Sequence, residues 1–362
     1  MPQPKHVDVN VDLQQDEGSL FSQAVDLCQA LSPQWASLPE CDIKVTKVSG
    51  GITNMLLKLT PNIQRPPVLV RVFGDHTDEV IDRESEETNS LQLHEAGFGA
   101  EILGTFDNGR VESWIHMRPL KPEEMCERGN AACIARRLAD FHAADIKGVS
   151  RTPQVFQRIL KWLDQAAQMK YPDADKQKAK EAKDFKAMRS EILELQQICE
   201  KLESPVVFSH NDLLSGNVMI PHEGTSELEA LQQGQVDSST MQFIDFEYGS
   251  YNYRGYDFAN NWCEYAGFEG DYSRYPDEKQ QALFVTNYLQ QQGYPSPSKE
   301  EVQQLVKEGN VFALVSHQFW GTWSFIQARY SAIDFDYMEY SGIRWNEYYK
   351  CKADFLAPIQ SS

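Results

Sequence analysis

The stretch SHNDLLSGN, residues 209–217, decides how the rest of the chain is interpreted. It places the carboxylate of Asp212 behind a His-Asn pair, and the amide of Asn217 follows in the same loop. Phosphoryl transfer can use such a pair, because a carboxylate orients the attacking hydroxyl while an amide oxygen binds magnesium. An ordinary polar turn is the alternative, since short motifs recur by chance.

A second acidic motif, FIDFEYG at residues 243–249, reduces the weight of the polar-turn alternative. Two apolar residues, which are predicted to end a buried strand, come before Asp245, so its carboxylate would emerge at the strand end and bind magnesium with Asn217. The two motifs keep the order of the H-R-D-x-x-x-x-N and D-F-G motifs of protein kinases. An asparagine replaces the arginine, and Glu247 replaces the glycine.

Bulk composition narrows the classes of partner. The 362 residues suffice for two lobes with separate cores. Lys and Arg number 34 against 53 Asp and Glu, a formal charge of −19, which argues against nucleic acid or an anionic membrane surface as partner. No apolar run is long enough to span a bilayer, and the seven cysteines form no CxxC pair. We therefore expect a cytoplasmic protein with reduced thiols and no stable membrane insertion.

The order of predicted elements indicates an α+β, protein kinase-like bilobal fold. Strands, one main helix and a hairpin with Asn-Gly at its turn are predicted over residues 41–117, the N-lobe and nucleotide clamp. A larger, mostly helical C-lobe with the catalytic loop follows over residues 118–362. Residues 1–40 are assigned to an N-terminal extension, and the polar residues 221–240 to a mobile loop.

The N-lobe should bind the nucleotide. VSGGITN ends at Asn54, and its Gly50 and Gly51 would form a turn over the phosphates, where small residues let backbone N–H groups approach. A plain hairpin turn is equally compatible with this segment. VESWIHM would be the hinge, with the backbone at Ile115 offered to adenine.

A basic residue is expected on the next strand, VLVRVFG, where Arg71 stands in place of the kinase lysine. Arg71 can hold phosphate oxygens in a fork, although a surface arginine on an edge strand is the alternative. Glu86 in the following helix is predicted to orient Arg71, with Glu84 and Glu87 as close rivals.

Five stretches together resemble the choline/ethanolamine kinase family over about residues 40–355. They are SGGITNMLL, VLVRVFG, PVVFSHNDLLSGNVM, IDFEYGSYNYRGYDFANNWCEYAG and FWGTWSFIQARYSAIDFDYMEY. GGITN and CEYAG resemble the ethanolamine kinase branch in its plant-like or algal-like form. The resemblance implies ATP, Mg²⁺ and phosphorylation of ethanolamine to phosphoethanolamine, the first step of the CDP-ethanolamine route to phosphatidylethanolamine. Choline kinase activity, alone or combined with ethanolamine kinase activity, is the alternative.

A site for the amine is expected in the C-lobe. Trp320 and Trp323 are three residues apart and share a helical face, and Tyr340 follows. Aromatic faces attract an ammonium group, although tryptophans at this spacing also suit a plain core. The resemblance implies that Trp320, Trp323, Tyr340 and Tyr248 surround the amine.

Acceptors for a primary ammonium are expected beside these rings. Glu247 and Asp212 can accept its N–H groups, and Glu264 is a third candidate. The choline branch has further aromatics after the residue that matches Glu264, whereas here only Phe268 lies close to that place. This leaner aromatic set favours ethanolamine.

Several alternatives are kept. Asp257 and Arg254, in the block DFEYGSYNYRGYD, are interpreted as structural, with Asp257 as a helix cap. An aminoglycoside phosphotransferase-like enzyme shares the short motifs but not this block. A pseudokinase, which would act only as a binding module, is disfavoured because Asp212, Asn217 and Asp245 are all present. Relatives can be dimeric, so a homodimer is left open.

Overall fold

The computed structural model describes five stretches of the chain, which are residues 4–48, 54–74, 83–235, 237–331 and 333–360. Contacts between residues divide the chain into unit 1, Met1–His116, and unit 2, Met117–Ser362. Among the described residues, unit 1 is built mainly of strands and unit 2 mainly of helices, which is the distribution that the predicted α+β class requires.

The sheet of unit 1 contains six strands in the described residues: His6–Val7 (β1), Ile43–Lys47 (β2), Asn54–Pro61 (β3), Val68–Phe73 (β4), Ile102–Phe106 (β5) and Gly109–Ser113 (β6). Their order is β1-β5-β6-β4-β3-β2. The pairing of β1 with β5 is parallel, and the other neighbouring pairs are antiparallel. The helices are Glu17–Leu31 (α1) and Arg83–Glu95 (α2).

The predicted hairpins form where the sequence places them. β2 and β3 pair from Ile43 opposite Pro61 to Lys47 opposite Leu57. β5 and β6 pair on either side of the Asn-Gly turn. A Cβ at Gly109 would lie 2.2 Å from the backbone oxygen of Arg71, so only glycine allows β6 to approach β4 this closely.

Residues 4–40, the described part of the predicted N-terminal extension, contribute to the core of unit 1. α1 carries an apolar face whose members pack under the sheet with Leu57, Val70 and Val72, and these members are Leu20, Ala24, Val25, Leu27, Cys28 and Leu31. Trp35 is also buried in this cluster. The predicted boundary between the N-terminal extension and the N-lobe, at residue 40, therefore lies within one hydrophobic core. Strand β1 adds an edge to the same sheet.

Unit 2 contains short strands and long helices. Its described strands are Arg118–Pro119 (β7), Val206–Ser209 (β8), Val218–Ile220 (β9), Gln242–Phe243 (β10) and Ser250–Tyr253 (β11). Its described helices are Pro122–Met125 (α3), Arg128–His142 (α4), Val155–Gln168 (α5), Ala174–Glu181 (α6), Phe185–Lys201 (α7), Ser226–Gln232 (α8), Arg254–Cys263 (α9), Glu278–Gln291 (α10), Lys299–Tyr330 (α11) and Tyr337–Gln360 (α12). The strands pair as β10-β9-β7 and β11-β8.

Helix α11 runs through the centre of unit 2. The Ser298 hydroxyl accepts from the backbone N–H of Glu301, whose carboxylate accepts from the N–H of Ser298, so the predicted capping box is present. Nearly every side chain from Val311 to Ala328 is buried, as expected for a helix enclosed on all sides. None of the described helices has the combination of length and apolarity needed to traverse a lipid bilayer.

The polar connection at residues 221–240 differs from the predicted mobile loop. It contains helix α8, which begins after Thr225, whose hydroxyl accepts from the backbone N–H of Leu228. Leu228 and Leu231 are buried. Two leucines three residues apart provide enough apolar surface to hold one short helix against the unit, a signal that the polar composition concealed.

Candidate active site

Residues 210–217, the predicted catalytic loop, follow strand β8 and bring Asp212 and Asn217 into contact. The Asn217 Nδ2 group donates to the backbone oxygen of Asp212 at 2.8 Å and to its Oδ2 at 3.2 Å. Asn217 lies in a short 3₁₀ helix, Ser215–Asn217, whose tight turn folds the amide back over the acid. Both side chains are buried.

The residue before the acid, Asn211, explains why asparagine stands where protein kinases have arginine. Its φ of 65° lies in the left-handed region, which asparagine tolerates well. Its Nδ2 donates to the backbone oxygen of Tyr248 at 2.9 Å and to Ser250 Oγ at 3.0 Å, and its Oδ1 accepts from Asn252 at 2.8 Å. The amide therefore fastens the catalytic loop to β11 and to the segment that contains Tyr248.

Asp257 also holds the catalytic loop. From the first turn of α9 its carboxylate accepts from the backbone N–H groups of His210 and Asn211, both at 2.7 Å, and it lies 3.0 Å from His142 Nε2. The helix begins at Arg254 after Tyr253, so Asp257 is not its cap and the cap interpretation is wrong. Arg254, which was also interpreted as structural, forms an ion pair with Glu308 in α11 at 2.6 Å.

Asp245 lies beside the catalytic loop. The N–H of Ile244 donates to the backbone oxygen of Asn217 at 3.0 Å, which aligns the two segments. Asp245 has a φ of 65°, a left-handed conformation that turns the chain after strand β10. Asn217 makes its contacts to Asp212 through Nδ2, so its oxygen end is the part suited to a cation. One amide oxygen and one carboxylate are a donor set that fits Mg²⁺.

The electrostatic environment of Asp212 is acidic. Burial raises its pKa well above the ordinary value, and the charges of Glu264, Glu247 and Asp245 raise it further. The hydrogen bond from Asn217 acts in the opposite direction. Several carboxylates so close together repel one another, so the site is suited to hold cations, which relieve that repulsion.

In unit 1, Arg71 belongs to a buried ionic network. Its Nε donates to Glu112 Oε1 at 3.2 Å, and the same oxygen accepts from Arg110 Nε. Burial alone would raise the pKa of Glu112, but Arg71 and Arg110 outweigh it and lower the pKa to about 2. Arg71 is thus a buried residue of the central strand β4, and the surface-arginine alternative does not apply. Glu112 was not identified from the sequence.

Glu86 lies in the same network. It accepts from Arg110 Nη1 at 2.8 Å and from Arg83 Nη1 at 2.6 Å. Burial raises its pKa, while Arg110, Arg83 and Arg71 together lower it below the ordinary value. The predicted role of Glu86 in orienting Arg71 stays a prediction, and Arg110 provides a link between them that the sequence analysis missed.

Two of the remaining residues that were predicted to bind the nucleotide, Asn54 and Ile115, lie in the described part of unit 1. Asn54 begins β3, and its Oδ1 accepts from Arg83 at 3.3 Å. Ile115 is half-buried and follows the end of β6. Gly50 and Gly51 lie outside the described residues.

The predicted aromatic residues lie in one cluster. Trp320 and Trp323 meet edge to face with ring centroids 5.3 Å apart, and Tyr248 lies 5.3 Å from Trp320. Trp323 Nε1 donates to the Tyr248 hydroxyl at 2.8 Å. Phe268 lies 5.9 Å from Tyr340 and is the most exposed member.

Two aromatic residues that the sequence analysis missed connect Tyr340 to the tryptophans. The Tyr337 ring lies 5.7 Å from Trp323, and Phe335 lies 4.9 Å from Tyr337 and 5.6 Å from Tyr340. Their density in DFDYMEY was the available signal. Glu247 is close to this cluster, since after burial its charge is the main cause that raises the pKa of Tyr248.

Comparison with known proteins decides the family. Residues 45–349 match the model of the choline/ethanolamine kinase family. The chain belongs to this family. A probable ethanolamine kinase of Arabidopsis thaliana is 42% identical over 92% of this chain and 86% of its own length. Probable ethanolamine kinase A of Dictyostelium discoideum is 35% identical over 91% of this chain and 92% of its own length.

The solved structure of a Plasmodium vivax ethanolamine kinase has a similar fold. It superposes with a TM-score of 0.81 at 27% identity, covering 94% of this chain and 90% of that one. The family and the protein kinase-like fold class predicted from the sequence are therefore confirmed. A member of a kinase family uses a nucleotide as its phosphoryl donor.

Proposed function

We propose that this choline/ethanolamine kinase family member is an ethanolamine kinase. It transfers the γ-phosphoryl group of ATP to the hydroxyl of ethanolamine: an oxygen–phosphorus bond forms at the hydroxyl, the bond from the γ-phosphorus to the bridging oxygen breaks, and ADP leaves. The observation that carries the proposal is the buried Asp212, which Asn217 holds and which lies near several carboxylates and near Tyr248 of the aromatic cluster.

Asp212 accepts the proton of the substrate hydroxyl. Burial and the neighbouring carboxylates raise its pKa, so these surroundings favour the transfer of a proton to Asp212. A cation held by Asn217 and Asp245 and the ammonium group of the substrate would favour the ionised form of this carboxyl, which is the form that can accept a proton. The hydrogen bond from Asn217 keeps the carboxylate of Asp212 oriented.

Asn217 and Asp245 would hold Mg²⁺, consistent with their oxygen donors and with the backbone hydrogen bond that aligns their segments. The ion, when bound, neutralises charge on the phosphate oxygens. Arg71, oriented by Glu112, binds phosphate oxygens of the nucleotide in the same role as the kinase lysine. Gly50, Gly51, Asn54 and the backbone at Ile115 complete the proposed nucleotide contacts.

The ammonium group of the substrate contacts the rings of Tyr248, Trp320, Trp323 and Tyr340. Glu247 and Asp212 accept its N–H groups, which a primary ammonium has and the choline headgroup lacks. This difference, together with relatives named as probable ethanolamine kinases, favours ethanolamine over choline. The seven free cysteines suit a reducing compartment, so we place the reaction in the cytoplasm. A homodimer stays a prediction.

The test is ATP turnover by the purified protein with Mg²⁺, measured against ethanolamine and choline side by side as kcat/KM. A higher kcat/KM for ethanolamine is the expected result. Preference for choline would favour the choline kinase alternative and show that the aromatic rings suffice for a methylated ammonium. Absence of turnover with both amino alcohols would overturn the proposal, and ATP binding without turnover would favour the pseudokinase.

A further inference from the structure

A buried cation faces the amine site. Arg344 in α12 is 1% exposed, and its Nη1 donates to Glu264 Oε1 at 2.9 Å and to the Tyr340 hydroxyl at 3.2 Å. Both partners are residues that the sequence analysis considered for the amine. A positive charge next to a site for an ammonium group needs a reason, because like charges repel.

The guanidinium is also connected to Trp320, another residue of the proposed amine site. Its Nη2 donates to Ser316 Oγ at 2.8 Å, and the Ser316 hydroxyl donates to Asn260 Oδ1 at 3.3 Å. The same Asn260 oxygen accepts from Trp320 Nε1 at 2.7 Å. A continuous chain of hydrogen bonds therefore links Arg344 to the indole of Trp320.

The charge of Arg344 is offset locally. Its pairing with Glu264 cancels one positive and one negative charge, so the pair adds little net repulsion toward an ammonium group. Asp212 and Glu247 keep the surroundings negative. One oxygen of Glu264 is committed to the guanidinium, which holds this carboxylate in a single orientation.

We propose that Arg344 is the positioning residue of the amine site: its guanidinium holds Glu264, Tyr340 and, through Ser316 and Asn260, Trp320 in the arrangement that receives the substrate ammonium. This inference rests on the proposed function. Arginine suits the role because its donors lie in a fixed planar fork, whereas a lysine ammonium is a single point on a flexible stem and cannot reach three partners in the same geometry.

A second buried ion pair in unit 2 offers a matched control. Arg254 donates through Nη2 to Glu308 Oε2 at 2.6 Å and through Nε to Oε1 at 3.2 Å, and Ser204 also donates to Glu308. This pair joins α9 to α11 as Arg344 joins α12 to its neighbours. Its partners in these bonds are not residues of the proposed amine site.

The experiment compares R344K and R254K with the wild-type protein, measuring kcat and KM for ethanolamine and for ATP. We expect R344K to raise the KM for ethanolamine about tenfold or more, with kcat and the KM for ATP within about threefold, since the change affects how the substrate amine is held. R254K should leave the KM for ethanolamine unchanged even if it lowers the Tm.

A double variant tests the same inference if R344K does not fold. R344M combined with E264Q removes both buried charges, so no unpaired carboxylate remains, and it should also show the raised KM for ethanolamine. A KM close to that of the wild type in R344K or in the double variant would overturn the inference, as would an equal rise in R254K. These results would leave the proposed function intact, whereas absence of ethanolamine turnover by the wild-type protein would overturn both.

Discussion

At the scale of single residues, the proposed mechanism depends most on Asp212. D212N keeps the shape and can still accept from Asn217, but it cannot take a proton from the substrate. We expect kcat to fall by roughly 10³-fold, in the range of a lost general base. Steady-state kinetics measures this fall. D175N, which changes an exposed aspartate in the first turn of α6, should keep the wild-type kcat.

The raised pKa of Asp212 has a consequence for stability. In the folded protein the neutral carboxyl is favoured, so the folded state binds more protons than the unfolded chain once the pH exceeds the unfolded pKa of about 4. The wild-type protein should therefore lose stability relative to D212N as the pH rises, by at most about 1.4 kcal/mol per pH unit.

Thermal unfolding of both proteins between pH 5 and pH 8, without Mg²⁺ or substrates, measures this difference. The Tm advantage of D212N should grow with pH. A constant Tm difference over this range would contradict the raised pKa of Asp212. Adding Mg²⁺ and ethanolamine to the wild-type protein should reduce the pH dependence, because cations favour the ionised carboxylate.

At the scale of elements, helix α9 sets the conformation of the catalytic loop through Asp257. D257N retains one acceptor oxygen but turns an NH₂ group toward a backbone N–H, so one buried hydrogen bond is replaced by a repulsive contact. We expect a loss of about 2–4 kcal/mol in unfolding free energy and a lower kcat. Urea unfolding and turnover measure the two effects.

An aspartate that does cap a helix is the control for this variant. Asp277 caps α10 and accepts from the N–H of Gln280. Asparagine is an equally good cap, so D277N should change stability by less than about 0.5 kcal/mol and leave kcat unchanged. Equal losses in D257N and D277N would show that Asp257 has no special role in the catalytic loop.

At the same scale, we expect strand β6 to affect nucleotide binding through Arg110. This guanidinium contacts both Glu112, which holds Arg71, and Glu86 on α2. R110K keeps the charge but cannot reach both carboxylates, so Arg71 should be less well oriented. We expect the KM for ATP to rise about tenfold, equivalent to roughly 1.4 kcal/mol, while the KM for ethanolamine stays unchanged.

Arg118 supplies the control for this kinetic measurement. It pairs with Glu124 in unit 2, outside the ionic network of β4 and β6. R118K should leave both KM values unchanged. An unchanged KM for ATP in R110K, with R110K folded, would show that Arg71 does not depend on Arg110 for its orientation.

At the scale of the whole molecule, residues 4–40 belong to the hydrophobic core of unit 1. Ala24 on α1 is fully buried in the core, whereas Ala30 on the same helix is exposed. A24D places a charge in an apolar core and should cost about 3 kcal/mol or more. A30D should cost only about 1 kcal/mol, from the lower helix propensity of aspartate and its charge in the last turn of the helix. Urea unfolding compares the two, and equal stabilities would mean that α1 is dispensable for the core.

The sequence alone determined much of the fold and supplied the candidate residues of the site, because both kinds of signal are local. The spacing of Asp212 and Asn217, the aspartate after the short strand β10, and the two tryptophans three residues apart are properties of neighbouring residues. Strand-like runs on either side of a glycine turn, and the Asn-Gly turn, identified the hairpins of unit 1. The polar composition of residues 221–240, in contrast, concealed helix α8.

Only the tertiary structure decided which distant residues meet. Asp257 contacts the catalytic loop 46 and 47 residues away in sequence, and Arg344 contacts Glu264 across 80 residues. Glu112 holds Arg71 across 41 residues. The physical reason is that local rules specify the period of a helix or strand, but the partner of a buried charge depends on how whole elements pack. Desolvation then makes that pairing obligatory, because an unpaired buried charge is costly.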